Sequence, residues 1–261
     1  YRIATNACLD ELKGRKQRPM PFDVVPPATD PNAPPVPASP EATWLEPCPE
    51  GWMNGVSRDP GAAYEVKESV ALAFVAAIQC LSAQQRAVLL LRDVLGMPAD
   101  EAAEALGMSV SAANSTLHRA RTALRERVGG DESTVVVNAT SEENEELLGR
   151  YLRAWESLDL TAFVALLHDD IVASMPPSPT WLKGKGTVAA FAEVRPFTIL
   201  RAKTHHIVRA PGANGQPALV FYVEGRLHAL HVVRFRDGRV AEFHHFCDPR
   251  SFEAFGIPPT A

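Results

Sequence analysis

At 261 residues, 46% of them hydrophobic, the chain has room for two ordinary domains plus a linker. A formal net charge of −5 excludes a basic coat for wholesale nucleic-acid wrapping, so any nucleic-acid contact must rest on local charge. There is no apolar run of membrane-spanning length, no signal-peptide pattern and no C-x-x-C among Cys8, Cys48, Cys80 and Cys247, which predicts a cytoplasmic protein with reduced thiols and no membrane partner.

Residues 1–18, YRIATNACLDELKGRKQR, place Ile3, Ala7 and Leu9 at roughly helical spacing before a basic tail, with a formal charge of +3. By composition alone this is any amphipathic surface helix. Residues 19–64 are different. Eleven of the 22 prolines fall between Pro19 and Pro49, and the segment carries a formal charge of −5. Proline fixes φ and lacks a donor, so an extended, irregular linker is predicted here. Trp44, Leu45 and Pro47, followed by Trp52, stand out within it. Two tryptophans left in water are costly, so these residues are expected to dock. The receiving surface is expected on the C-terminal part of the chain, around Pro176, Pro177, Trp181 and Phe191.

Residues 65–130 read as a small all-α module. ESVALAFVAAIQCL is amphipathic through Leu72, Val75, Ile78 and Leu81. A second helix begins at Ser82 and carries Val88, Leu89, Leu91, Val94 and Leu95. Residues 100–127, DEAAEALGMSVSAANSTLHRARTALRER, then give a helix-turn-helix. Asp100 is expected to cap the first helix, Gly107 to supply its left-handed exit, and Ser109 or Ser111 to cap the second. Ala113, Leu117, Ala120 and Leu124 form its buried stripe. The other side offers Ser111, Asn114, Ser115, His118, Arg119, Arg121 and, further along, Arg125. Short polar residues early allow close approach to base edges, and later arginines meet phosphates, as a major-groove reader requires. Taken alone, the same pattern fits an ordinary helical hairpin with a solvated charged face.

LSAQQRAVLLLRDVLGMPADEAAEALGMSVSAANSTLHRARTALRER resembles region four of bacterial RNA polymerase sigma factors of the extracytoplasmic-function (ECF) group. The resemblance implies recognition of the −35 promoter element together with core RNA polymerase. It departs at Asn114 and Thr116, where the family often has Lys or Arg, which implies fewer phosphate contacts. Tyr1 to Asp10, YRIATNACLD, with the basic cluster after it, is similar to the end of sigma region two. Most of region two is then expected to lie outside this sequence. The acidic linker fits the one that this group threads into the polymerase's RNA-exit path, although a plain soluble tether has the same composition. Its Trp-Leu-Glu-Pro motif resembles that of ECF sigma factors carrying an extra C-terminal domain.

Residues 142–261 supply such a domain. Leu147, Leu148, Tyr151, Leu152 and Trp155 mark one helix, and residues 160–167 a second. From Thr204 onward the chain alternates and favours β-branched residues, with a tight Asp237-Gly238 turn between two runs. Helices first and a curved antiparallel sheet after is an α+β pattern. AWESLDLTAFVALLHDDIVASMPPSPTWLKGKGTVAAF is similar to the SnoaL-like family, which implies a cone whose helices close a bent sheet around a pocket. Strand parity sets His231, Val233 and Phe235 on one face and His228, Leu230, Val232 and Arg234 on the other, with the first set inward. His231 is therefore the pocket candidate, joined by Trp155, Met175, Trp181 and Tyr222.

Seven of the eight histidines lie in this domain, yet His168 alone has a carboxylate beside it in sequence. The adjacent pairs His205–His206 and His244–His245 point to opposite faces of a strand, so neither chelates alone. No catalytic set, metal site or cofactor is expected. The combined expectation is a multidomain sigma factor, regulated in cis by its C-terminal domain through contact with the linker. The alternative is a one-component DNA-binding regulator or a small-molecule enzyme of the SnoaL-like class. The region-two end and the acidic spacer favour the sigma factor.

Overall fold

A computed structural model of the chain describes residues 18–38, 44–53, 79–128, 142–248 and 250–261. The helix expected at residues 1–18, apart from its last residue, and most of the one before Leu81 lie outside the described residues. The chain divides into two compact units, Tyr1–Arg18 with Met53–Val137 and Pro19–Trp52 with Asn138–Ala261. The segment expected as a linker is thus shared, and its proline-rich part belongs with the C-terminal unit.

The described part of the first unit is helical. Helix α1, Ala83–Leu89, starts on a reciprocal cap. Gln85 N–H donates to Ser82 Oγ at 3.3 Å, and Ser82 N–H donates to Gln85 Oε1 at 2.9 Å. It runs into a π turn at Leu90–Val94. Helix α2, Ala99–Leu106, has Pro98 at its cap position, so Asp100 sits inside the first turn and does not cap it. There its charge still favours the positive end of the helix. Gly107, at φ 65°, makes the left-handed exit. Ser109 then accepts from Ala112 N–H at 3.2 Å and starts helix α3, Val110–Val128. Leu81, Val88, Leu89, Leu117, Ala120 and Leu124 form one core.

The second unit is α+β. Helix α4, Glu142–Glu156, buries Leu147, Leu148, Tyr151, Ala154 and Trp155, and α5, Leu160–Leu166, is capped by Asp159. The chain then turns directly into strand β1, Leu167–Ser174, and β2, Trp181–Lys183. Helix α6, Lys185–Ala192, continues through a π turn at Glu193–Phe197. Strands β3 (His205–Ala213), β4 (Gln216–Val223), β5 (Arg226–Arg236) and β6 (Arg239–Phe246) complete the sheet. Its order is β2-β1-β6-β5-β4-β3. The β1–β6 pairing is parallel and the rest antiparallel, so the sheet is mixed where the sequence suggested a purely antiparallel one. Three hairpins turn on Asn214-Gly215, Glu224-Gly225 and Asp237-Gly238, every one of these residues at positive φ. That backbone matches the twist of the strands it joins.

Pro19–Trp52 packs on this unit as a strap. The chain is irregular for the most part, as proline demands, but it includes helical turns at Pro21–Val24 and Glu50–Met53. The first is possible because Pro21 occupies the position where a helix N–H has no partner to lose. The Trp181 indole N–H donates to the Val25 carbonyl at 2.7 Å, and Ala28 N–H donates to the Trp181 carbonyl at 2.8 Å. Val36 is bracketed by Thr180 Oγ1 and Ser178 Oγ, each at 2.7 Å. The Arg195 guanidinium donates to the Asn32 carbonyl at 2.7 Å. Leu45 N–H returns to the Pro19 carbonyl, and Cys48 pairs with Asn214 on both backbone and side chain.

Candidate nucleic-acid interface and ligand cavity

Helix α3 has two chemically distinct sides. Ala113, Leu117, Ala120 and Leu124 are buried, at 1%, 5%, 0% and 8% exposure, and Ser111, Asn114, Ser115, His118, Arg119 and Arg121 are exposed. The buried stripe fixes the helix axis and leaves the polar face free to enter a groove. The arginines are not equivalent. Arg121 makes a two-pronged ion pair with Asp93, at 2.7 and 2.9 Å, which ties α3 to the π turn after α1. Arg119 donates to its own helix at Thr116 Oγ1, at 3.2 Å. Thr116 is itself buried, so a basic residue at that position would not face outward with Asn114. The Arg125 side chain lies outside the described residues.

Within the C-terminal unit, α4, α6 and one face of the sheet line a cavity of about 570 Å³. Its floor is apolar, with Trp155, Phe163, Phe191, Phe221 and Phe243 among the lining residues. Trp155, Met175 and His231 line it, as the pocket reading requires. Trp181 and Tyr222 do not. The Trp181 indole faces the strap and meets Phe22 edge-on, with ring centroids 6.2 Å apart. Tyr222 follows Phe221 on β4, so strand alternation turns it to the opposite face, where its hydroxyl donates to the Pro258 carbonyl. Pro35 of the strap completes the lining.

Two of the lining imidazoles, His231 and His245, form a chain with Tyr151, a fully buried residue outside the lining. Tyr151 Oη lies 2.9 Å from His231 Nε2, and His231 Nδ1 lies 3.0 Å from His245 Nδ1. Burial, reinforced by the neighbouring imidazoles of His245 and His244, holds His231 well below the usual imidazole range. Burial and His228 lower His245 in the same way, and burial raises the Tyr151 phenol. The chain is therefore neutral near pH 7.

His228 was expected on the far face, yet it lines the cavity with His231 and His245. The cause is a bulge. Phe221 pairs with Ala229 and Tyr222 with Leu227, so His228 is an extra residue in β5 and the alternation is reset there. His168, by contrast, sits on β1 against the Arg236 guanidinium and away from the cavity. On the other face of the sheet, Ser174 Oγ lies 2.8 Å from His244 Nδ1, and the Phe22 ring of the strap lies tilted against His244, with ring centroids 6.2 Å apart. Glu242 pairs there with Arg234 and His244. Burial alone would raise its carboxyl, but the His244 bond and the Arg234 charge hold it down at about 2.

Of the docking candidates, Trp44, Leu45 and Pro47 are buried in this unit. Trp52 is 67% exposed, because it falls in the helical turn at Glu50–Met53, where the strap ends.

The described residues thus hold a helix-turn-helix with one exposed polar face and, in the other unit, a helix-covered sheet around a cavity. Residues 71–124 match the family described as Sigma-70, region 4, and residues 148–243 the SnoaL-like domain family. The chain is 38% identical over 262 residues to "ECF RNA polymerase sigma factor SigG" of Mycobacterium tuberculosis, covering 99% of this chain and 69% of that protein. It is 22% identical to the "Probable ECF RNA polymerase sigma factor SigI" of the same organism, covering 96% and 76%. The crystal structure of the extracytoplasmic function sigma factor SigJ of M. tuberculosis shares the fold, with a TM-score of 0.58 at 22% identity, covering 96% of this chain and 79% of that one. The chain belongs to the ECF RNA polymerase sigma factor family. That membership stands against the alternative of a one-component regulator or a free-standing SnoaL-like enzyme. No helix among the described residues is long and apolar enough to cross a membrane.

Proposed function

We propose that this chain directs core RNA polymerase to promoters in the cytoplasm, with α3 reading the −35 element. In this reading Asn114, Ser115, His118 and Arg119 meet base edges, and Arg125 meets the backbone. The observation that carries it is the division of α3 into a packed stripe and an exposed polar face. Arg121 reaches a phosphate only by giving up Asp93, so its first role is to hold α3 in place.

The C-terminal unit acts in cis by gripping the strap. A fixed strap sets how far region four can lie from whatever precedes residue 19. The cavity takes an apolar molecule with a polar group that can reach the Tyr151–His231–His245 chain. Histidines held neutral by burial are poor proton acceptors in the physiological range, which supports binding without turnover. Promoter reading is tested by selecting duplexes from a random library with the full chain and core polymerase. The parent is expected to enrich one −35-like motif and Arg119→Ala to lose it. Equal enrichment of the same motif by both proteins would remove the assignment.

A further inference from the structure

We propose that His228, His245 and Cys247 bind one transition-metal ion of the zinc type at the mouth of the cavity. Each of the three offers a ligand atom, and these atoms lie within 4.8 Å of one another. Tetrahedral zinc at about 2.0–2.3 Å from nitrogen and sulfur needs ligand atoms about 3.3–3.6 Å apart, so modest rotamer adjustment closes the set. Two imidazoles and a thiolate are a borderline-to-soft donor set, which favours zinc over magnesium or calcium.

Three features of the fold make this more than a chance cluster. First, the β5 bulge at His228 breaks the strand alternation and brings that side chain to the cavity beside His245. Bulges that re-aim a side chain in this way are common beside functional sites. Second, His245 is oriented from behind. Its Nδ1 is engaged by His231, which is in turn engaged by Tyr151, and this leaves His245 Nε2 as the nitrogen available to an ion. Ligating histidines are characteristically held this way through their second nitrogen. Third, Cys247 is placed by its backbone, whose N–H donates to the Pro176 carbonyl at 2.9 Å. His228 is exposed, which gives an entry path from solvent.

Three protein ligands leave the fourth position of a tetrahedral ion open. All three residues line the cavity, so that position is accessible to water or to an oxygen or sulfur atom of a cavity ligand. The site would then fix the polar end of a molecule whose apolar body rests on Trp155 and Phe221.

The test uses the full chain. Zinc is titrated against a chromophoric chelator, and cobalt(II) is substituted to give a visible spectrum. One equivalent is expected, with the charge-transfer absorption of a cobalt–thiolate bond. Cys247→Ser should abolish that absorption and weaken zinc binding at least about tenfold, as should His245→Asn. His228→Gln alters an exposed side chain, so its loss of affinity cannot be ascribed to unfolding. Tyr151→Phe should weaken binding by about tenfold while keeping the thiolate absorption, because it removes only the rear support. Retention of the absorption in Cys247→Ser, or parental zinc affinity in both His228→Gln and His245→Asn, would overturn the proposal. Promoter selection does not enter this readout, so failure here leaves the role of α3 untouched.

Discussion

The Trp181 indole N–H donates to the Val25 carbonyl at 2.7 Å, joining a short edge strand of the sheet to a proline-rich strap 156 residues away in sequence. A proline-rich segment has few donors of its own, so it is held largely by what the folded domain offers it. Trp181→Phe keeps an aromatic ring beside Phe22 and removes this donor together with part of the indole's volume. We expect a loss of about 1 kcal/mol locally. Amides of Val25 and Ala28 should exchange faster while those of β5 keep their protection. Unchanged exchange at Ala28 would mean that the bond does not hold the strap.

Arg119 and Arg121 lie two residues apart on α3 but should fail differently. Arg121 is about half exposed and paired with Asp93, and such pairs contribute up to about 1 kcal/mol. Arg121→Ala should lower the stability of the helical unit by that amount, less at high salt, and Asp93→Ala should do the same. Arg119→Ala should leave stability within about 0.5 kcal/mol and cost about 1–3 kcal/mol of promoter binding. Helical circular dichroism on melting and anisotropy with the selected duplex separate the two effects. A stability loss at Arg119 equal to that at Arg121 would contradict this division.

The stripe Ala113, Leu117, Ala120 and Leu124 was legible because helical burial repeats at spacings of three and four. The burial of Trp44 was legible because an indole in water is costly. What escaped depends on pairings distant in sequence. Strand β1 begins with Leu167-His168-Asp169-Asp170, whose two carboxylates give no strand signal, and it is held by parallel pairing to β6 some seventy residues on. The Asp93–Arg121 pair spans 28 residues and has no local spacing to betray it. His228 was assigned by alternation to the wrong face because one inserted residue resets the period. Residues 245 and 247 stand two apart at the end of β6, so two thirds of the proposed metal site was open to reading. The third member needed the bulge.

Acid should weaken the C-terminal unit through Glu242. An ordinary glutamate titrates at 4.5, whereas Arg234 and His244 hold this one at about 2. A carboxyl depressed on folding contributes stability above its unfolded pKa and loses it as pH falls through the folded value. The contribution is on the order of 3 kcal/mol, full above about pH 5 and gone near pH 2. Glu242→Gln should destabilise the unit at neutral pH and flatten the pH dependence between 5 and 3. All four tryptophans lie in this unit, so urea unfolding followed by their fluorescence reads it directly. A parental slope with pH in Glu242→Gln would assign acid lability to other carboxyls.

Occupancy of the cavity should be felt by the strap. Pro35 forms part of the lining, and the Arg195 side chain that lines the same cavity also donates to the Asn32 carbonyl. A molecule entering the cavity therefore meets the strap directly and competes for the residue that anchors it. A ligand shifts an equilibrium only through different affinity for the two states, and here the difference comes from contact with Pro35 and Arg195. Ala192 lies in the wall, and replacing it with Phe fills part of the cavity, with an overpacking cost of about 1–3 kcal/mol. An apolar fluorescent probe should bind the parent and bind Ala192→Phe at least about tenfold more weakly, a difference of about 1.4 kcal/mol. With probe bound, amides at Asn32, Ala33 and Val36 should change their exchange rate, whereas those at Cys48, anchored on Asn214 away from the cavity, should not. Probe binding that leaves residues 32–36 unaltered would separate the cavity from the strap and confine regulation to the strap's own contacts.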